Sequence, residues 1–133
     1  MRGVTLTLKR GETLVVIGRS GCGKSVLLKH IIGLLKPDDG EVIVDGLSVS
    51  KASRSQLYEM RMKFGMVFQG SALFDSMTVT DNVGLSLREH TRLTHDEIIH
   101  RVKEKLSLVG LNGVEDLKPA ELSGGMKKRV ALA

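Results

Sequence analysis

Cysteine is nearly missing from this sequence: Cys22 stands alone among 133 residues. A single thiol excludes an internal disulfide and fits a reducing, cytosolic setting. Tryptophan is missing altogether, and Tyr58, Phe64, Phe68 and Phe74 are the only aromatic residues. So few rings exclude a base-stacking platform for single-stranded nucleic acid. No apolar run approaches the ~18 residues of a membrane-spanning helix. The opening MRGVTLTLKRGE has no apolar core of the kind a signal peptide needs. His30, His90, His95 and His100 lack ligand-like spacing, so no metal site is expected from them. Neither an internal repeat nor a low-complexity linker is present. What remains suits one soluble globular domain: 41% hydrophobic and 26% charged residues, with a net charge of +5. The basic excess reads as a solvated surface plus a phosphate site, and no nucleic-acid partner is expected.

Glycine, by contrast, is plentiful, and three glycines fall in one motif. Gly18 to Ser25 read GRSGCGKS, a full match to the phosphate-loop pattern G-x-x-x-x-G-K-[ST]. The flanks supply the context the motif requires. Thr13 to Ile17 (TLVVI) is a short β-branched run, expected to be a buried parallel strand. Lys24 to Lys36 (KSVLLKHIIGLLK) has apolar residues at helical spacing. Gly18, Gly21 and Gly23 permit positive φ and close approach of a bulky ligand. The amides of Gly18, Arg19, Ser20, Gly21, Cys22, Gly23, Lys24, Ser25 and Val26 form the expected nucleotide-binding set, at a helix N-terminus with partial positive charge. Lys24 reaches for the β- and γ-phosphates, and the Ser25 hydroxyl is a candidate Mg²⁺ ligand.

Further along, Val4–Leu8 alternates apolar and polar residues and predicts a half-buried strand. Glu41–Asp45 (EVIVD) and Gly65–Phe68 (GMVF) predict two more strands, with Gln69 at the C-terminal end of the second, where ligands bind in open α/β sheets. Ser53–Met62 predicts a short helix, and from Gly70 onward the pattern turns helical. Thr94 and Glu97 form a capping box for a helix bearing Ile98, Ile99, Val102, Leu106 and Val109, stopped by Gly110. Ser123 is the expected N-cap of a last helix that runs to Ala133.

GRSGCGKS, VFQ at Val67–Gln69 and LSGGM at Leu122–Met126, in that order, resemble the ATP-binding subunit of ABC transporters over essentially the whole chain. Within that family the sequence looks most like the subunit of Mla-type lipid transporters, which work with MCE-domain proteins. Ser71–Val83 (SALFDSMTVTDNV), Leu87–Thr91 (LREHT) and Met126, where most members have glutamine, carry this finer likeness. The resemblance implies that Gln69 senses Mg²⁺ and the attacking water. It implies that Ser123, Gly124 and Gly125 contact the γ-phosphate bound to a second subunit, and that Gly70–Arg88 touches a membrane permease. ATP and Mg²⁺ are the implied ligands, with Lys24 and Gln69 supporting the chemistry.

The family's second acidic motif, a strand ending in a Mg²⁺-associated aspartate and then a catalytic glutamate, has no counterpart after LSGGM. The catalytic set is therefore incomplete within these residues, and the chain reads as an internal part of a longer domain. Alone it is expected to bind ATP and hardly hydrolyse it. The expected fold is α/β: a partial P-loop core with antiparallel β-subdomain elements in residues 1–69, a helical subdomain in residues 70–125, and the start of the signature helix in residues 126–133. The expected function is ATP hydrolysis coupled to phospholipid transport, on the cytoplasmic face of the inner membrane. The alternatives are a non-hydrolysing nucleotide-binding fragment and an ABC ATPase acting with nucleic acid.

Overall fold

A computed structural model describes residues 3–133. The chain divides into two compact units, one ending at Gly65 and the other running from Met66 to Ala133.

In the first unit the phosphate-loop motif leads into helix α1 (Lys24–Ile31). The sequence predicts helix to Lys36, but α1 ends five residues earlier. Gly33 adopts φ +70°. The Gly33 amide donates to the His30 carbonyl at 3.1 Å, and the Leu34 amide donates to Lys29 at 2.8 Å. This is a Schellman motif, which a glycine after the last helical turn favours. A Cβ on Gly33 would lie 2.9 Å from Val49 Cγ1 and 3.2 Å from Leu57 Cδ2, so packing requires glycine there as well. Next comes a hairpin, β1 (Ile43–Val44) antiparallel to β2 (Leu47–Ser48), joined by Asp45–Gly46. Both turn residues have positive φ, 49° and 78°, as a type I′ turn requires. Helix α2 (Arg54–Arg61) follows, closed at its start by a reciprocal capping box between Ser53 and Gln56. Val49 and Met60 are the buried hydrophobic side chains of this unit.

Three strand predictions fail. Val4–Leu8, Thr13–Ile17 and Gly65–Phe68 form no strand, and Glu41–Asp45 is a strand only at Ile43–Val44. The apolar run Thr13–Ile17 is exposed, with Val15 at 71% and Ile17 at 90%. β-branched runs state a preference for burial, but a strand exists only where a neighbour completes its backbone hydrogen bonds. Among the described residues no strand pairs with Thr13–Ile17. The α/β expectation therefore appears here as helices with one small antiparallel sheet.

The second unit has the larger core. Helices α3 (Val79–His90) and α4 (His95–Leu108), a 3-10 turn at Pro119–Glu121, and α5 (Gly124–Leu132) enclose Val79, Ile98, Val102, Leu106, Leu111, Val114, Leu122 and Val130. Ile98, Val102 and Leu106 stand four residues apart, so one stripe of α4 is buried. Ile99 and Val109, on the same predicted face, are half-buried. Gly84 lets α3 approach that stripe: a Cβ there would meet Ile98 Cγ2 at 3.0 Å. The Thr94–Glu97 capping box forms as predicted. The start of α3 is fixed from several sides. Thr78 and Asp81 make a capping box, and the Val79 and Thr80 amides donate to the Leu117 and Glu115 carbonyls. Asn82 bonds the Phe74 backbone through both its amide oxygen and its amide nitrogen. At the far end of α4, Arg129 of α5 donates to the Val109 and Gly110 carbonyls at 3.2 and 3.1 Å.

Asp81 gives this unit an acid-sensitive joint. Its carboxylate accepts from Arg88 at 2.7 Å and from the Thr78 hydroxyl at 2.8 Å. The Arg88 bond first, then the Thr78 bonds, hold its pKa below the ordinary aspartate value. A depressed folded pKa stabilises at pH above the unfolded value of ~3.9 and is lost as pH falls through the folded value. Stability of the second unit, followed by urea unfolding, is expected to fall below about pH 4, and Asp81→Asn is expected to flatten that fall while lowering stability at pH 7.

Candidate functional site

The loop from Gly18 to Gly23 turns back on itself before α1 begins. The Cys22 amide donates to the Arg19 carbonyl at 3.3 Å, and Gly21 and Gly23 adopt φ 82° and 97°. No L side chain adopts such values without strain. Lys24 Nζ folds over the loop and donates to the carbonyls of Gly18 at 2.8 Å and Arg19 at 2.9 Å. It also lies 3.8 Å from Cys22 Sγ. The spacing of the motif is thus visible as a closed ring, in which one ammonium gathers both ends of the loop. Gly18 has a second reason to be glycine, since a Cβ there would sit 2.6 Å from Cys22 Sγ.

The start of α1 differs from every other α-helical start among the described residues. Ser53, Thr78, Thr94 and Ser123 each cap their own helix with a side-chain oxygen. Gly23, the N-cap of α1, has no side chain to do so, and the first turn holds no acidic residue. The first amides of a helix have no intrahelical acceptor. Those of Lys24, Ser25 and Val26 therefore keep their donors, beside an ammonium that has no carboxylate partner among the described residues. Donors, helix dipole and cation of one sign make an anion site. Ser20 lies on the exposed surface of the loop, and the Ser25 hydroxyl stands in the first turn of the helix.

Gln69 and the LSGG segment belong to the second unit. Gln69 is exposed, in a turn closed by the Ser71 amide donating to the Phe68 carbonyl at 3.0 Å. The two residues after that turn, Ser71 and Ala72, hold φ 66° and 49°, a left-handed pair rare outside glycine. Ser123 caps α5 by accepting from the Met126 amide at 3.3 Å, which leaves its own O–H to donate elsewhere. Gly124 and Gly125 are exposed and put no side chain over the amides beside that hydroxyl. Among the described residues no cluster of three His, Cys, Asp or Glu side chains could hold a metal ion. Sequence reasoning missed the Thr78–Asp81 cap, although T-x-x-D before an apolar run announces one. It also missed Arg61, for which the sequence carries no signal.

With this geometry in hand, the chain can be set beside known proteins. The family model for the ABC transporter matches residues 1–133. The probable ribonucleotide transport ATP-binding protein mkl of Mycobacterium tuberculosis is 52% identical over 130 residues, which cover 98% of this chain and 36% of that protein. The intermembrane phospholipid transport system ATP-binding protein MlaF of Escherichia coli is 47% identical over 98% of this chain and 48% of its own length. The chain thus spans less than half the length of these relatives. Among solved structures, the dimeric post-hydrolysis ATP-binding cassette MJ0796, bound to ADP and Pi, is 36% identical with a TM-score of 0.86 over 96% of this chain and 56% of that one. The protein cbiO1 of Clostridium perfringens, part of the ABC transporter complex cbiONQ, is 34% identical with a TM-score of 0.73 over 87% of this chain and 46% of that one. A family match over every residue and close likeness to solved cassettes agree with the phosphate loop: the chain belongs to the ABC transporter family, with the α/β P-loop fold of its ATP-binding cassettes.

Proposed function

We propose that this chain is part of the ATP-binding subunit of a phospholipid transporter, and that Gly18–Val26 is where its triphosphate binds. The observation that carries the reading is the uncapped start of α1 with Lys24 Nζ gathered over the loop. Lys24 and the loop amides stabilise phosphate charge, which in phosphoryl transfer matters more than covalent chemistry by the protein. Ser25 is the side chain in the first turn that would hold Mg²⁺, and the ion would neutralise phosphate charge there. Gln69 is assigned a Mg²⁺- and water-sensing role on the strength of the family resemblance alone. Ser123, Gly124 and Gly125 are assigned to the γ-phosphate held by a second subunit, since they offer a hydroxyl and uncovered amides. The assembly proposed is a pair of ATP-binding subunits under a membrane permease, with an MCE-domain lipid carrier, on the cytoplasmic face of the inner membrane. No helix among the described residues is long and apolar enough to cross a membrane.

The name of the Escherichia coli relative and the Ser71–Val83 stretch favour phospholipid as cargo, whereas the mycobacterial relative's name favours a ribonucleotide. In the complete transporter reconstituted in vesicles, phospholipid is expected to stimulate ATP turnover. Stimulation by ribonucleoside monophosphates instead would select the second reading.

Two measurements test the phosphate site itself. Lys24→Ala is expected to weaken Mg-ATP binding by at least tenfold, about 1.4 kcal/mol; equal affinities by titration would refute the assignment. Cys22 is exposed and lies beside Lys24. Its labelling by a maleimide is expected to slow when Mg-ATP is added, and a rate insensitive to nucleotide would place the phosphates elsewhere.

A further inference from the structure

We propose that Arg61 is a positioning residue for the phosphate loop: by a two-pronged grip on the C-terminus of α1 it sets the direction in which that helix presents its N-terminus. The proposal rests on the nucleotide-binding reading above. Arg61 Nε donates to the Ile32 carbonyl at 3.0 Å, and its terminal nitrogen donates to the Gly33 carbonyl at 2.8 Å. A guanidinium is planar, so two such bonds fix an angle as well as a distance. Its charge also matches the negative end of the helix dipole.

The grip acts at one end of α1. Its C-terminal end is packed closely. Gly33 faces Val49 and Leu57 so closely that no Cβ fits between them, and Val49 and Met60 are buried nearby in sequence on the hairpin and on α2. Leu57 and Arg61 are one helical turn apart, so α2 meets the terminus of α1 with a hydrophobic contact and a charged fork together. The loop lies at the opposite end of a rod about 12 Å long. A tilt of roughly 10° about the gripped end moves the loop amides by about 2 Å. Hydrogen bonds to phosphate oxygens tolerate only a few tenths of an ångström. Arg61 thus acts on nucleotide through α1 without touching it.

Binding of a fluorescent N-methylanthraniloyl ATP with Mg²⁺ decides the matter, with circular dichroism confirming equal folded fractions. Arg61→Ala is expected to weaken binding about tenfold. Arg61→Lys, which keeps the charge and loses the fork, is expected to weaken it at least threefold. Guanidinium ion at low millimolar concentration is expected to recover most of the affinity of Arg61→Ala and none of that of Lys24→Ala. Wild-type affinity in Arg61→Lys overturns the proposal, and decides alone if Arg61→Ala does not fold. A loss in Arg61→Ala that free guanidinium leaves unchanged assigns the residue to folding only and also overturns it. Equal binding by the wild type and Lys24→Ala removes instead the nucleotide reading beneath it.

Discussion

Everything at the proposed phosphate site depends on a helix that begins without a cap. A capping side chain is worth about 1 kcal/mol to a helix, and α2 to α5 all have one. α1 has eight residues, as α2 has, yet its N-cap is Gly23 in a left-handed conformation. A serine or aspartate there would satisfy the first amides from within and occupy the place of an anion. Its side chain would also strain the φ of 97° that swings the loop back over the helix. The glycine thus sacrifices local stability and leaves the donors open. The ammonium of Lys24 replaces part of what is lost, since it ties the loop together through the Gly18 and Arg19 carbonyls.

The same end-to-end logic governs the other termini. Positive charge is delivered to the C-termini of α1 and α4 by arginines from other helices, Arg61 and Arg129. Each satisfies two carbonyls that the helix itself cannot. In each case the partner helix matters for function in the proposed role. Arg61 fastens the helix that begins at the phosphate loop, and Arg129 belongs to the helix that begins at Ser123. The two units differ in how much else supports this. Within the described residues α4 buries the stripe Ile98, Val102 and Leu106, whereas no side chain of α1 is fully buried.

What was legible in the sequence follows from this difference. Local, self-contained signals translated directly into structure: the Thr94–Glu97 box, the Ser123 cap, the period of Ile98, Val102 and Leu106, and the spacing of GRSGCGKS. Each is decided within a stretch of nine residues or fewer. The strands at Val4–Leu8, Thr13–Ile17 and Gly65–Phe68 were misread because a strand is not a local object. Its hydrogen bonds belong to neighbours, and an apolar pattern records the wish for burial rather than the presence of a partner. The overlong α1 has a plainer cause. Gly33 sits in the run IIGLLK, whose apolar period continues unbroken, and the Schellman turn it forms outweighs that period. Arg61 could not be read at all, because its partners lie 28 and 29 positions away and are backbone carbonyls, which leave no mark on residue type.

The two candidate anion-binding elements also differ from each other in a way that fits separate tasks. Gly18–Val26 combines uncapped amides with a lysine within one unit, which suits the triphosphate proposed for it. At Ser123–Gly125, by contrast, the Ser123 hydroxyl already caps α5 by accepting from the Met126 amide. Its amides and its remaining O–H can add to a phosphate held by other groups but give little charge of their own. An element of that kind gains affinity only when the triphosphate is already bound elsewhere. That is what the proposed pairing of two ATP-binding subunits requires.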